Sequence, residues 1–149
     1  CTAAYTLPAD WCRWKTKLYG AFLHNSDAEK NRYTNHKKAN NAWYAGVKMG
    51  EVRKMGDWAV DVNYQLVQAQ AMPESDVSGI KRDNPGSVSM YKSKRGGFAN
   101  YKGYKLDGFY AFTDNLTLNA SFERVHEETR KIGGKHRSYQ FQLAAIYAF

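Results

Sequence analysis

The chain of 149 residues holds only two cysteines and three prolines. The spacing of Cys1 and Cys12 matches no metal motif. One disulfide in an oxidising compartment and two unrelated thiols both remain open. No stretch approaches the ~18 consecutive apolar residues of a membrane-crossing helix, and mean hydropathy is −0.69. A helical span is therefore excluded, but a strand-built one is not, because a spanning strand needs only half its residues apolar. His24, His36, His126 and His136 show no HExxH or other ligand spacing. Ser121 and His126 are close in sequence, but no nucleophile motif or third orienting group accompanies them. The expectation is no enzyme, no metal and no cofactor. The front of the chain has neither an initiator Met nor a signal peptide, which fits a mature chain or a fragment. Acidic residues are scarce, 14 against 22 Lys and Arg, for a formal net charge of +8. That balance admits a nucleic-acid partner, or cations spread over exposed links and a polar interior.

What is present is alternation. Aromatics make up 15% of residues, with eleven Tyr. In "DWAVDVNYQLVQ" (57–68), Trp58, Val60, Val62, Tyr64 and Leu66 alternate with Ala59, Asp61, Asn63, Gln65 and Val67. The same period of two runs through 14–23, 42–49, 104–112, 116–125 and 137–149, predicting six half-apolar strands. Residues 2–7, before the turn chemistry of Pro8-Ala9-Asp10, predict a seventh. Residues 71–79 have room for one short turn of helix. The links alternate in length: long at 24–41, short at 50–56, long at 69–101, short at 113–115, long at 126–137. An up-and-down barrel crossing a membrane has this rhythm, with short turns on the periplasmic side and longer loops outside. Lipid offers no hydrogen bonds, so such a sheet must close on itself. Trp14, Trp58, Tyr147 and Phe149 suit one aromatic rim, and Trp43 and Tyr139 the other.

Two stretches resemble known barrels. "QLAAIYAF" (142–149) resembles the C-terminal signal of bacterial outer-membrane barrels, matching at Gln142, Tyr147 and Phe149, with Ala144 where Gly is usual. Residues 56–149 are similar to the C-terminal half of a family of outer-membrane porins. The matching motifs are Gly56-Asp57-Trp58, Asn100-Tyr101-Lys102-Gly103-Tyr104 and Thr113-Asp114-Asn115-Leu116-Thr117-Leu118. The Gly-rich run before Asn100 shrinks to Gly96-Gly97, and residues 81–95 are unusually basic. The resemblance implies an all-β, antiparallel up-and-down transmembrane β-barrel, with residues 1–149 as the C-terminal six to seven strands of one larger barrel domain. It implies an integral protein of the bacterial outer membrane, passing small hydrophilic solutes or ions by passive diffusion. Its partners would be outer-membrane lipid, the barrel-assembly machinery that reads the terminal signal, and further copies of the chain in a homo-oligomer.

The alternation nominates a lumen lining: Lys15, Lys17, Lys48, Asp61, Asn63, Gln65, Lys105, Asp107, Asn119, Glu123, Gln140 and Gln142. Lining charge selects ions by sign, and four Lys against three carboxylates favours anions weakly. The alternative is that these groups pair across strands and satisfy the interior, as Lys105 and Asp107 are placed to do. Cations in the links, among them Lys37, Lys38, Lys81, Arg82, Arg130, Lys131, Lys135 and Arg137, are either phosphate ligands at the outer leaflet or ordinary solvated charge. Two other readings compete. One is a complete small barrel of structural or adhesive role. The other is a soluble basic β-domain whose Tyr residues stack nucleic-acid bases. The second would need another layer over its apolar face, and the preferred reading has no nucleic-acid partner.

Overall fold

The computed structural model describes residues 1–8, 11–30, 36–72, 99–132 and 135–148. Within them lie seven strands: β1 (Thr2–Thr6), β2 (Thr16–His24), β3 (Asn41–Gly50), β4 (Trp58–Val67), β5 (Tyr101–Ala111), β6 (Leu116–Glu127) and β7 (Arg137–Tyr147). They form one sheet in chain order, and each neighbouring pair is antiparallel. No helix occurs among the described residues. The expected seventh strand is β1. The expected helical turn at 71–79 and the turn at Pro8-Ala9-Asp10 lie largely outside the described residues.

Register follows the alternation. Tyr5, Leu18, Val47, Val62, Leu106, Phe122 and Phe141 are successive cross-strand partners, one apolar row spanning all seven strands. The neighbouring row on the other face runs Lys17, Lys48, Asp61, Asp107, Ser121, Gln142. A one-residue slip can bring Lys17, Lys48, Asp61, Lys105, Asp107 or Glu123 into the apolar row from β2 to β6, and Gln140 or Gln142 from β7, so the pattern strongly specifies the pairing.

Burial runs opposite to that of an ordinary half-buried sheet. The apolar face is open: Val62 is 46% exposed, Leu143 68% and Phe141 70%. On the polar face, Asp107, Ser121 and Glu123 are buried.

The ends of the sheet differ. At the end with short links, Gly56 takes φ 87°, a left-handed conformation that glycine adopts without strain. The Asp57 carboxylate then accepts the backbone N–H groups of Arg53 and Lys54, both at 3.0 Å. The next turn is tied to this one, because Asp114 Oδ1 accepts the Met55 N–H at 2.7 Å. Thr113 Oγ1 accepts the Leu116 N–H at 3.0 Å. At the end with long links sits a small core of Ala42, Val67, Ala71, Ala99, Tyr101 and Val125, with Met72 packed on it. Amide side chains stitch the links there. Gln70 Oε1 accepts the Ala39 N–H at 3.1 Å and Gln70 Nε2 donates to the Glu29 carbonyl at 3.0 Å.

Asn100 is the strongest of these ties. It is fully buried at φ 71°. Its Nδ2 donates to the Thr129 carbonyl at 2.9 Å and to the Ile132 carbonyl, and its Oδ1 accepts the Thr129 N–H at 2.9 Å. β5 begins at Tyr101, before the expected 104, and β6 runs on to Glu127. Gly103 explains the extension: a Cβ there would run into the Arg124 carbonyl, so its absence lets the two strands stay paired. Cys1 and Cys12 are both unbonded. Cys1 bonds through its backbone to Phe22 at the long-link end, whereas Cys12 lies in the link after β1 at the other end. The reading as independent thiols therefore holds.

Two predictions follow from these ties. Asn100→Ala should loosen the 128–136 link by about 2–4 kcal/mol, from lost buried hydrogen bonds and a left-handed backbone that Ala resists. Amide exchange at Thr129 should accelerate while mid-strand amides keep their protection. Asn100→Gly keeps the backbone freedom, so parent-like exchange in it would show that the side-chain bonds hold nothing. The second concerns pH. The N–H groups of Lys54 and Arg53 hold the Asp57 carboxyl below its ordinary 3.8. A lowered folded pKa adds stability above the ordinary value and loses it as pH falls through the lowered one. Parent and Asp57→Asn should thus differ in thermal midpoint at neutral pH and converge in strong acid. A difference independent of pH would show that the charge is irrelevant.

Candidate functional site

The polar face is built from two adjacent rows. In the first, Lys17 on β2 is opposite Lys48 on β3, Lys48 is opposite Asp61 on β4, and Asp61 is opposite Asp107 on β5. Like charges directly opposite one another disfavour pairing, yet two lysines sit side by side and two aspartates follow. The second row runs Tyr19, Gly46, Asn63, Lys105, Glu123, Gln140.

Side chains cross between the rows. Tyr19 lies over β3 and donates its hydroxyl to Asp61 on β4. Gly46 makes this crossing feasible: a Cβ there would meet the Tyr19 ring at 2.5 Å and Asn63 Cβ at 2.8 Å. Asn63 Nδ2 reaches the same hydroxyl at 3.5 Å. Lys105 Nζ pairs with Asp107 Oδ2 at 3.0 Å, the pairing that the sequence placed within reach. Lys48 Nζ sits 5.6 Å from the centre of the Phe109 ring. Asn119 Nδ2 donates to the Gly108 carbonyl at 3.2 Å. Lys17 is exposed and has no ion-pair partner among the described residues.

The twelve nominated lining residues do not form one equivalent set. Lys15 precedes β2 and pairs with Glu51 at 2.9 Å, at the short-link rim. The Lys15 ammonium and the Arg53 guanidinium hold the Glu51 carboxyl below its ordinary value. Gln65 lies opposite Tyr44 and Gly103, beside a hollow of about 460 Å³ lined by Ala21, Tyr44, Gln65, Val67, Met72 and Tyr101. Gln140 and Gln142 continue the two rows onto β7. Among the terminal-signal residues, Gln142 is on the polar face, and Tyr147 is on the apolar face opposite Leu116. Phe149 lies outside the described residues.

Ser121 and His126 project to opposite faces, since their positions differ in parity along β6, and the structure does not bring them together. No group of three or more His, Cys, Asp or Glu that could hold a metal is found among the described residues. Of the link cations, Arg130 pairs with Glu127 at 2.9 Å. Arg137 is not in a link but opens β7. Lys81 and Arg82 lie outside the described residues.

Sequence reasoning passed over Tyr19 as a bridging group, and Lys102 and Arg124 as cations on the apolar face. Parity carried the signal for the latter two: Lys102 shares Tyr104's phase and Arg124 shares Phe122's. The Tyr19 bridge had no such signal, since it depends on which strand presents Gly46 beside it.

Against known proteins, the chain matches no family model, no curated sequence and no solved structure.

The Tyr19 crossing is testable by a double-mutant cycle. Gly46→Ala should destabilise the parent clearly and cost much less in a Tyr19→Ala background, a coupling of about 1–3 kcal/mol. Additive losses in thermal midpoint would mean that Tyr19 does not lie over Gly46.

Proposed function

We propose that these strands are the C-terminal part of a closed, antiparallel β-barrel in a bacterial outer membrane, and that the barrel passes small hydrophilic solutes or ions by passive diffusion. The observation that carries this reading is the inverted burial: an apolar face bare across seven strands, with Asp107, Ser121 and Glu123 buried on the opposite, charged face. A soluble sheet would cover that apolar face with a second layer, and none exists among the described residues. Strand length agrees. β2 to β7 have 9, 10, 10, 11, 12 and 11 residues, where a spanning strand takes about 9–11.

Closure needs more strands, because β1 and β7 each have one neighbour. A barrel of about eight strands is filled by its own side chains, and a channel requires more. The proposed barrel is therefore larger than this sheet and resembles the porins named above. In this arrangement the short links face the periplasm and the long ones the exterior. Gln142, Tyr147 and Phe149 are the signal for the assembly machinery.

The lining adds electrostatic detail. Lys15 pairs with Glu51 and Lys105 with Asp107, while Lys17 and Lys48 stand side by side next to Asp61. The parent channel should discriminate weakly between cations and anions. Lys17→Glu with Lys48→Glu removes both cations of the row, so the reversal potential under a salt gradient should move toward cation preference. The measurement uses the protein extracted from its own membrane and placed in planar bilayers. An unchanged reversal potential would remove these lysines from the permeation path, and absence of any conductance in the parent would sink the channel reading.

A further inference from the structure

We propose that β5, β6 and β7 carry, on the apolar face at the long-link end, a binding site for a lipid with a phosphate-bearing headgroup, formed by Lys102, Arg124 and Arg137. The site rests on the membrane reading above. In the strands, the apolar face carries no carboxylate, and its only Lys or Arg residues are these three. They are not scattered. Lys102, His126 and Arg137 are successive partners in one row, and Tyr104, Arg124 and Tyr139 form the next row inward. Strands lie about 4.8 Å apart, so the cations fall within roughly 10 Å across the sheet. Arg124 and Arg137 are exposed and Lys102 is half-exposed. The Arg124 guanidinium is held over the Tyr139 ring, 5.5 Å from its centre. None of the three has an ion-pair partner among the described residues.

The chemistry below the cations distinguishes an amphiphile from a free anion. On the same face lies an apolar hollow of about 290 Å³ lined by Val60, Leu106, Gly108, Ala120, Phe122 and Phe141. Gly108 and Ala120 are direct partners, and their small side chains leave the dip between the larger ones. A ligand with a phosphate above and an acyl chain below satisfies both features at once. Guanidinium groups match phosphate oxygens in pairs, and the chain fills the hollow. A soluble phosphate would use only the cations.

The test reconstitutes the protein in phosphatidylcholine vesicles and measures, by electron spin resonance, the immobilised fraction of spin-labelled phosphatidic acid against spin-labelled phosphatidylcholine. The parent should prefer phosphatidic acid. Arg124→Gln alone should lower the preference about fivefold, and the triple Lys102→Gln, Arg124→Gln, Arg137→Gln should abolish it, since each cation near a charged surface contributes a factor of that order. Lys30→Gln, Lys38→Gln and Lys54→Gln together remove the same charge elsewhere and should leave the preference in place. Equal loss in that control would reduce the effect to net charge and overturn the site. Loss of the preference with millimolar inorganic phosphate at constant ionic strength would overturn it in favour of a soluble anion. A protein that floats with the vesicles but prefers neither lipid refutes the site and leaves the membrane reading standing. A protein that does not float with phosphatidylcholine vesicles refutes both.

Discussion

The fold depends on one constraint: the alternating apolar positions of all seven strands must fall on the same face of the sheet at once. Backbone pairing alone would tolerate many registers. The side chains do not, because each residue on a strand faces opposite to the next. Tyr5, Leu18, Val47, Val62, Leu106, Phe122 and Phe141 line up only if all six pairings are in phase. The short turns enforce that phase locally. Asp57 caps its own turn, and Asp114 reaches the neighbouring one. The two hairpins of β3–β4 and β5–β6 are thereby fixed relative to each other at the end where they meet.

The residues that carry the porin resemblance prove to be the builders of these constraints. Gly56 and Asp57 shape one turn, Thr113 and Asp114 another, Asn100 pins the 128–136 link, and Gly103 permits the close pairing of β5 and β6. Such a motif speaks first about architecture, because turn chemistry and close backbone approach restrict residue choice most strongly. It is silent about what passes through or binds. The functional reading therefore rests on the two faces of the sheet and not on the motifs.

Faces and links were legible in the sequence because both are local. Alternation in "DWAVDVNYQLVQ" assigns Val62 and Asp61 to opposite sides without any knowledge of their neighbours. Strand ends were less legible. Tyr101 read as link and Lys102 fell short of the expected strand start at 104, but pairing with Glu127 and His126 makes both strand. Lys15 read as lining by phase, but its ammonium meets Glu51 beyond the strand end. Long-range ties were not legible at all. Nothing in residues 99–101 announces Thr129, and nothing near Tyr19 announces Asp61, which is 42 positions away. These depend on register set elsewhere, so they emerge only after the whole sheet is assembled.

The charge of +8 says less about partners than where the cations stand. A basic protein with many tyrosines suggests stacking platforms for bases. Here the tyrosines of the apolar face sit among Val, Leu and Phe, and the cations are partitioned by environment. Lys15 and Arg53 meet Glu51 at the short-link rim. Lys105 meets Asp107 on the polar face. Lys17 and Lys48 stand together on the polar face, an adjacency that works against pairing and is tolerable where water screens it. Lys102, Arg124 and Arg137 stand at one end of the opposite face, next to aromatic rings. A nucleic-acid surface needs its cations and stacking rings on one accessible face. Arg124 and Tyr139 meet that condition only at one end of the apolar face, while Lys17, Lys48 and Lys105 stand on the other face; in the proposed membrane the cation groups lie where their surroundings supply counter-charge: carboxylates at the rim, solute in the lumen, headgroups outside.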